Sequence, residues 1–564
     1  MQVIRFNRAV GRPKGRQAGA QAIERLAAIL GPGAQPRRDL LIEHLHRIQD
    51  AEGQLPHALL AALAQWMRLS QVEVFEVASF YHHFDLVADD APGPAALTVR
   101  VCDSLSCELA GAASLAERLE AALGRQVRVQ RVPCVGRCAD APVAVVHRLP
   151  VERANVQRVL DAVAARDREC PLPAAPDYAR ARGDGAYAML HSLVAGARTA
   201  EQVFAELESA GLRGMGGAGF SAGRKWRIVS QQSGPRMLVV NADEGEPGTF
   251  KDRFCLESAP HRFLEGMLIA ARAVGCEACT IYLRDEYSGV RAMLEREIAA
   301  LLDDPPIPRA DMPAIELRRG AGAYICGEES ALIESIEGKR GMPRLRPPYV
   351  AQVGLFGRPT LVNNVETLYW VPEVLARGAH WFASHGRHGR HGLRLFSVSG
   401  RVRDPGVKLA PAGISLRELV DEHCGGMADG HALYAYLPGG ASGGILPASL
   451  ADLPLDFDAL QAHGCFIGSA AVIVLSQHDR ARDAAANLMR FFRHESCGQC
   501  TPCRAGTAKA VDLLAADRWD GPLLRELSSA MADASICGLG QAAPNPVLSV
   551  LDRFAHEVGG EAGE

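Results

Sequence analysis

The sequence predicts an α/β multidomain protein, and three observations carry this prediction. The chain has 564 residues, which at about 150 residues per domain corresponds to roughly four domains. Between residues 193 and 381 strand patterns alternate with helical ones, as in a parallel sheet covered on both faces. Helical segments before it, and short strands with Gly-Gly pairs followed by helices after it, indicate separate smaller units.

Composition excludes several functional classes. Lys plus Arg total 61 and Asp plus Glu total 65, so the net charge of −4 disfavours a generic binder of nucleic acid or anionic membranes. Apolar runs such as residues 470–475 are strand-sized, so no membrane span is predicted. Residues 1–38 are predicted to be a basic tail, with a transit peptide as the alternative. Because no apolar segment of a secretory signal follows the first basic residues, a cytoplasmic location is expected.

The elements of the first half follow from periodicity. Residues 39–92 have helical spacing, and Ser70 with Glu73 forms a capping box. Residues 93–168 are predicted to be one domain, with strands at 97–101, 127–129 and 143–146 and helices at 112–123 and 156–165. The following segment, 169–192, begins rich in Pro, Ala, Arg and Gly and is predicted to be a linker.

The second half divides into three predicted units. Residues 193–392 form the α/β domain, with strands predicted at 237–240, 280–283 and 315–317 and helices at 261–273 and 290–302. Residues 393–470 form a small β-rich module, and residues 471–564 form a helical bundle that carries four cysteines.

One cysteine quartet, the C-terminal one, consists of Cys497, Cys500, Cys503 and the distant Cys537. Three thiolates in C-x2-C-x2-C spacing can reach three irons of a cubane, and the fourth iron takes its ligand from elsewhere. Zinc sites more often use two separated pairs, so the spacing favours a [4Fe–4S] cluster over zinc.

The N-terminal quartet consists of Cys102, Cys107, Cys134 and Cys138. Both of its pairs follow predicted strands, so two loops can face each other across a site for a [2Fe–2S] cluster or zinc. The presence of the C-terminal quartet favours the iron–sulfur interpretation. The remaining seven cysteines, including the C-x-x-C of Cys276 and Cys279, are interpreted as packing residues.

Glycine-rich and acidic loops predict a nucleotide pocket. The sequence from Gly214 to Gly219 satisfies G-x-G-x-x-G, but a helix rather than a strand precedes it, which weakens an ordinary dinucleotide fingerprint. The segments 241–248 and 322–329 each combine glycines with acids after a strand, and 363–367 supplies paired amides. Acids at a helix start can merely complement its dipole, but two such loops at one sheet edge favour a ligand.

Two cluster motifs and a nucleotide pocket, without a hydrolytic nucleophile, indicate an electron-transfer flavoprotein. Flavin exchanges a two-electron hydride for single electrons, which nicotinamide alone cannot do. A protein of a different class, a non-enzymatic module with zinc in both quartets and no flavin, is the alternative. The colour of the purified protein would distinguish the two.

The sequence resembles the flavin-bearing NADH dehydrogenase subunit of respiratory complex I over about residues 193–554. The matching stretches are GLRGMGGAGF, NADEGEPGTFKDR, GAGAYICGEES, PTLVNNVETL, ESCGQCTPC and ASICGLG. The part before residue 165 resembles the thioredoxin-like [2Fe–2S] subunit of the same complex. The fused order is most similar to the β subunits of molybdenum- or tungsten-dependent, NAD-linked formate dehydrogenases, and the diaphorase subunits of NAD-reducing nickel–iron hydrogenases are similar too.

This resemblance implies the cofactors FMN, [4Fe–4S] and [2Fe–2S], with NAD(H) as substrate, and a β-grasp module at 393–470. It implies that the following residues bind FMN: Gly214, Gly216, Gly217, Lys225, Asn241, Asp243, Glu244, Tyr324, Gly327, Glu328, Asn363, Asn364 and Thr367. It implies that NAD(H) lies near Phe220, Glu246, Glu329, Arg346 and Tyr349.

The sequence therefore predicts an NAD⁺-reducing electron-transfer subunit of formate dehydrogenase. The predicted partner is a large molybdopterin or tungstopterin α subunit with further iron–sulfur clusters, because no formate- or hydrogen-oxidising site is visible in this chain. A hydrogenase diaphorase and an NADH dehydrogenase subunit of complex I are the alternatives.

Overall fold

A computed structural model of the chain describes residues 15–165 and 168–559. The first unit is helical and contains one short pair of parallel strands. Its elements are α1 (Ala20–Leu30), α2 (Leu41–Glu52), β1 (Leu55–Pro56), α3 (His57–Met67), α4 (Gln71–Phe80) and β2 (Leu86–Val87). The capping box of Ser70 and Glu73 at the start of α4 is confirmed.

The prediction of a tail over residues 1–38 is wrong for α1. Leu26 and Leu30 on this helix are buried, and they belong to the core that α2, α3 and α4 form. The basic residues Arg5, Arg8 and Arg12 lie outside the described residues. Helix α1 was missed because the basic composition of the segment dominated its apolar spacing.

The second unit is a four-stranded sheet in the order β4-β3-β5-β6, in which β3 and β4 are parallel and the other pairs antiparallel. Its elements are β3 (Leu97–Cys102), α5 (Leu105–Leu109), α6 (Ala112–Leu123), β4 (Val127–Val132), β5 (Ala144–Val146), β6 (Leu149–Val151) and α7 (Val156–Ala164). The strands and helices predicted here are confirmed, and a separate small core holds the unit together.

The predicted linker over 169–192 contains two helices, α8 (Tyr178–Gly183) and α9 (Ala188–Val194). Tyr187 and Leu190 are fully buried in the main core. The backbone N–H of Tyr178 donates to the Glu297 carboxylate at 2.8 Å. The linker prediction is therefore wrong for this part, which packs on the α/β domain.

The α/β domain contains a wholly parallel sheet in the order β10-β7-β8-β9, as the alternating pattern predicted. Its elements are α10 (Ala200–Ser209), α11 (Ala222–Ser230), β7 (Arg236–Ala242), α12 (Lys251–Ser258), α13 (Pro260–Val274), β8 (Cys276–Leu283), α14 (Ser288–Asp303), β9 (Ala314–Arg319), α15 (Glu329–Ile336), β10 (Thr360–Asn364), α16 (Val365–Arg377) and α17 (Ala379–Ala383). The ends of β7 and β10, where ligands of such sheets bind, lie side by side.

The β-rich module forms a five-stranded mixed sheet in the order β12-β11-β15-β13-β14. Its elements are β11 (Leu393–Gly400), β12 (Gly406–Pro411), α18 (Leu416–Glu418), β13 (Leu433–Leu437), β14 (Leu446–Pro447) and β15 (Ala471–Ser476). Strand β15 is central and pairs with both β11 and β13. The predicted boundary at residue 470 is therefore wrong, because the sheet ends only at Ser476.

The C-terminal bundle packs against the N-terminal helices and the loops of the α/β domain in one continuous core. Its helices are α19 (Ala481–Glu495), α20 (Thr501–Leu514), α21 (Gly521–Ala534), α22 (Gly538–Ala542) and α23 (Asn545–Arg553). Within the described residues, no helix is long and apolar enough to cross a bilayer.

Candidate functional site

The glycine-rich loop lies between α10 and α11, so no strand precedes it and the ordinary dinucleotide fingerprint is absent. The N–H of Gly214 donates to the Phe220 carbonyl at 2.8 Å, which closes the loop. Gly217 has a φ of +131°, a value that side-chain-bearing residues rarely adopt. The N–H of Met215 donates to Thr367 Oγ1 at 2.9 Å and ties the loop to α16.

The two acidic loops are joined to each other. The Asn241 side-chain amide donates to the Gly327 carbonyl at 2.8 Å, and its oxygen accepts from the Asp243 N–H at 3.1 Å. Glu328 caps α15, with Oε2 accepting from the N–H groups of Ser330 and Ala331 at 2.9 Å each. The loops after β7 and β9 therefore form one surface, as the prediction of two such loops at one edge of the sheet required.

The residues of the third predicted segment, 363–367, have two different roles. Asn364 faces the acidic loops, and its side-chain amide donates to Asp252 Oδ2 at 2.6 Å. Asn363 is 4% exposed and accepts from the Trp226 indole at 3.0 Å, and Thr367 is fully buried against the glycine loop. Asn363 and Thr367 therefore hold the framework and do not line the cavity.

A cavity of about 290 Å³ lies between these loops, at the lower end of the usual range for ligand sites. The following residues predicted for FMN or NAD line it: Gly216, Gly217, Asn241, Asp243, Glu244, Glu246, Tyr324, Gly327, Glu328 and Asn364. Sequence reasoning missed other lining residues, among them Thr249, Lys251, Asp252, Ser442 and Ser469. The motif NADEGEPGTFKDR contains the first three, so these residues could have been found by taking the whole motif, and not only its acidic part, as lining the pocket.

Lys251 is the buried cation of the cavity and is 1% exposed. Its Nζ lies 2.8 Å from Asp252 Oδ1 and 3.1 Å from Glu366 Oε2. Burial lowers the pKa of Lys251, but Asp252, Glu366 and Glu244 outweigh burial and raise its pKa above the ordinary value. The three carboxylates therefore favour the charged form of the ammonium group.

Burial raises the pKa of two acids that line the cavity. Desolvation and the neighbouring Asp252 raise the pKa of Glu244 to about 7, although its carboxylate accepts from the N–H groups of Asp252 and Arg253 at the start of α12. Burial raises the pKa of Asp243 well above its ordinary value. Asp243 Oδ2 is buried without a hydrogen-bond partner in the described structure.

Of the residues predicted for NAD(H), one lines the cavity and the others do not. Glu246 lines the cavity and accepts from the Ser442 N–H at 3.0 Å and the Ser469 hydroxyl at 3.1 Å. Glu329 lies outside the cavity, 3.4 Å from Lys225 Nζ and 3.3 Å from Arg346 Nη2. Phe220 and Tyr349 are 44% and 55% exposed and do not line the cavity.

The N-terminal cysteine quartet forms a buried group of free thiols, as its spacing predicted. Cys134 Sγ and Cys138 Sγ are 3.3 Å apart, and the Gly136 N–H donates to Cys134 Sγ at 3.4 Å. Hydrogen bonding to Cys107 and Cys134, followed by burial, raises the pKa of Cys102. Four converging thiols without a disulfide provide the donor set of a [2Fe–2S] cluster.

The C-terminal quartet collects at the start of two helices. Cys497 and Cys500 precede α20, Cys503 lies in its first turn, and Cys537 caps α22. A Cβ built on Gly540 of α22 lies 2.8 Å from the Cys503 Cβ, so only glycine permits this approach. Burial raises the pKa of Cys503 to about 11 and that of Cys537 to about 12, so binding of iron must release protons.

Both quartets adjoin the walls of the cavity. Gly538 and Leu539, which follow Cys537 directly, line it. On the other side, Arg284 Nη2 donates to the Cys134 carbonyl at 2.6 Å, and Nη1 donates to the Glu244 carbonyl. The seven other cysteines are free thiols and form no further quartet within the described part of the chain.

The residues present fit FMN. The unpartnered Asp243 Oδ2 can accept from a ring N–H or a ribityl hydroxyl, and the glycine loop allows close approach of backbone. Together with two cysteine quartets, this cavity defines an iron–sulfur flavoprotein of the electron-transfer class.

Comparisons with known proteins agree with this class. Family models match for the Nuo51 FMN-binding domain at 207–373, the NADH-ubiquinone oxidoreductase-F iron-sulfur binding region at 483–560, the thioredoxin-like [2Fe-2S] ferredoxin at 29–166 and the SLBB domain at 395–446. The ferredoxin match includes α2 to α4, so the helical segment and the following sheet form one family unit.

Relatives extend the match along the chain. The mitochondrial 51 kDa subunit of NADH-ubiquinone oxidoreductase in Neurospora crassa is 42% identical over 389 residues, which is 64% of this chain and 79% of that protein. The mitochondrial NADH dehydrogenase [ubiquinone] flavoprotein 1 of Dictyostelium discoideum is 43% identical over 374 residues, covering 63% and 78%. A crystal structure of an NAD⁺-reducing [NiFe]-hydrogenase in the H₂-reduced state matches with a TM-score of 0.80 and 34% identity over 93% of this chain and 92% of that one.

The chain belongs to the family of the complex I 51 kDa flavoprotein, with its FMN and [4Fe–4S] domains fused behind a thioredoxin-like [2Fe–2S] domain. It is an NADH dehydrogenase, or diaphorase, module that uses FMN and iron–sulfur clusters. The alternative of a zinc-only module without flavin is wrong, because both quartets lie in iron–sulfur family regions and the cavity lies in an FMN-binding domain.

Proposed function

We propose that this chain passes electrons from a partner subunit through its clusters to FMN, and then as hydride to NAD⁺. The observation that carries the proposal is that both cysteine quartets lie next to the FMN cavity. The residues after Cys537 line this cavity, and Arg284 bridges it to Cys134. Both quartets thus flank one pocket. Bound FMN would supply the conversion between single electrons and a hydride.

In this proposal the chain's own residues bind and orient the flavin. Gly216 and Gly217 let the backbone approach the flavin closely, and Gly214 closes the loop that carries them. The polar and aromatic walls of the pocket are formed by Asn241, Asp243, Glu244, Tyr324, Gly327, Glu328 and Asn364. Asn363 and Thr367 act indirectly, by fixing α11 and the glycine loop. Lys225 does not line the cavity, and its ammonium group pairs with the Glu329 carboxylate.

We infer that NAD(H) binds over the flavin cavity. In this proposal Glu246 provides the inner polar contact, and the outer contacts come from residues that do not line the cavity: Glu329, Arg346, Phe220 and Tyr349. The exposed rings of Phe220 and Tyr349 can cover a planar base, and the charged pair of Glu329 and Arg346 can contact the ribose or the phosphates of a dinucleotide.

This arrangement predicts a preference for NAD over NADP. Glu329 near a ribose would repel a 2′-phosphate by about 1–4 kcal/mol at 4 Å, depending on screening. Lys225 and Arg346 already pair with this carboxylate, so the lower part of that range applies. Glu329→Gln should therefore raise the kcat/KM for NADPH relative to NADH by about tenfold, measured by steady-state diaphorase assays with an artificial acceptor.

The control for this prediction is Glu277→Gln, an exposed acid on β8 that pairs with Arg358 at 3.6 Å. Its NADPH to NADH ratio should equal that of the wild type. If Glu329→Gln leaves the ratio unchanged, the carboxylate does not face the ribose phosphate position.

We further propose that the electron donor is formate, oxidised by a large molybdopterin- or tungstopterin-containing α subunit in the cytoplasm. The fused domain order and the close motif match support this assignment. Hydrogen is the second candidate donor, because the hydrogenase structure shares 34% identity over 93% of this chain.

Affinity purification of the native complex distinguishes the two donors. Formate as donor predicts co-purified molybdenum or tungsten and formate-dependent NAD⁺ reduction. Co-purified nickel and hydrogen-dependent reduction would instead establish a hydrogenase, and neither metal would point to a complex I assembly.

A further inference from the structure

A second cavity, of about 650 Å³, lies between the N-terminal helices, the thioredoxin-like unit and the FMN domain. It shares Asp243, Gly245 and Tyr324 with the FMN cavity as a common wall. His83 and Asp285 line it, and His46 of α2 lies behind them, 2% exposed. These three side chains come from α2, the loop after α4 and the loop after β8.

We propose that His46 and His83, the second of them oriented by Asp285, form a site for one divalent transition-metal ion of the Zn²⁺ class. One ligand atom of each residue lies within 4.8 Å of the others. The two imidazole rings have centroids 4.9 Å apart and are tilted by 51°. No step of the flavin chemistry uses these residues, so the proposal stands independently of the electron donor.

The hydrogen bonds of the two histidines leave one nitrogen of each available. His46 Nε2 lies 2.8 Å from the Gly320 carbonyl, which only an N–H can satisfy, so Nδ1 carries the lone pair. His83 Nδ1 lies 2.8 Å from Asp285 Oδ2, so its N–H donates to the carboxylate and Nε2 carries the lone pair. Both His46 Nδ1 and His83 Nε2 are buried without a partner in the described structure.

This is the arrangement that metal-binding histidines use. A carboxylate that accepts from the far N–H of an imidazole fixes the tautomer and raises the basicity of the ligand. Water in the cavity can complete the coordination.

The ligand atoms that remain free determine which kind of ion the site suits. The guanidinium of Arg319 pairs with Asp285 and, at 2.7 Å, with Asp50. Both oxygens of Asp285 therefore have donors, which leaves imidazole nitrogen as the main free ligand. Nitrogen ligands suit Zn²⁺ and its neighbours, whereas Mg²⁺ and Ca²⁺ require several oxygens.

A bound ion would connect the N-terminal helices to the FMN domain at the wall of the large cavity. Equilibrium dialysis of the anaerobically purified full chain against ZnCl₂, with zinc and iron measured by mass spectrometry, tests this. We expect one tightly held zinc per chain without loss of iron, and at least a tenfold rise in Kd in His83→Gln and in His46→Gln. Mg²⁺ should not compete.

His82→Gln is the matched control, because His82 adjoins His83 in sequence but groups with His494 and Glu495. It should change the zinc Kd less than twofold. Zinc should also raise the melting temperature of the wild type but not of His83→Gln, a comparison that remains valid if His46→Gln folds poorly. Unchanged affinity in His83→Gln, loss of affinity in His82→Gln instead, or zinc uptake matched by iron loss would each overturn the proposal.

Discussion

The Cys500→Ala variant should keep its reaction with NADH while losing NAD⁺ reduction by the partner's substrate. Cys500 supplies one of four thiols at the starts of α20 and α22, and removing it leaves an iron without its ligand and the cluster labile. The flavin cavity itself contains no cysteine of this quartet. We expect overall turnover to fall by orders of magnitude, whereas stopped-flow bleaching of the flavin by NADH should proceed at a near-normal rate.

Two measurements distinguish this result from a simple folding defect. Flavin content should match that of the wild type, and iron content should fall by the amount of one cubane. The control is Cys276→Ala, a half-buried cysteine on β8 outside both quartets, which should change neither rate. Slow bleaching with intact turnover would mean that the quartet is structural and that electrons take another route.

The sequence predicted those features that depend on local pattern. The parallel sheet from β7 to β10 and the capping box at Ser70 follow from periodicity and from hydrogen bonds between near neighbours. Both quartets follow from ligand spacing, because a cluster fixes the distances between its thiolates. Such features need no knowledge of what packs against them.

Features that depend on distant partners were missed. Helix α8 lies in a stretch with the composition of a linker, and only the buried contacts of Tyr178 and Tyr187 with the main core make this stretch part of the domain. Strand β15 follows the β-rich module after a long loop, and only its pairing with β11 and β13 assigns it there. The buried role of Thr367 depends on the glycine loop, 152 residues away along the chain.

The Lys251→Met variant should lose most of its flavin and much of its stability. Lys251 is the cation among Asp252, Glu366 and Glu244, and all four residues are at least 95% buried. Methionine removes the charge at similar length, and removing one partner of a buried ion pair typically costs about 3–5 kcal/mol. We expect flavin to be lost on desalting, and the urea concentration that releases the remaining flavin to fall sharply.

Two further variants separate charge from packing in this prediction. Lys339→Met removes a lysine that is 38% exposed and pairs with Glu334 and Glu337, where a loss below about 1 kcal/mol is expected. Adding Glu366→Gln to Lys251→Met removes one uncompensated carboxylate. Glu366 Oε1 accepts from the Leu395 N–H at 2.9 Å, and the amide oxygen of glutamine can keep this hydrogen bond. The double variant should therefore regain part of the lost flavin. If it is no better than Lys251→Met, or if Lys339→Met is equally damaging, the buried charge of Lys251 does not hold the cavity together.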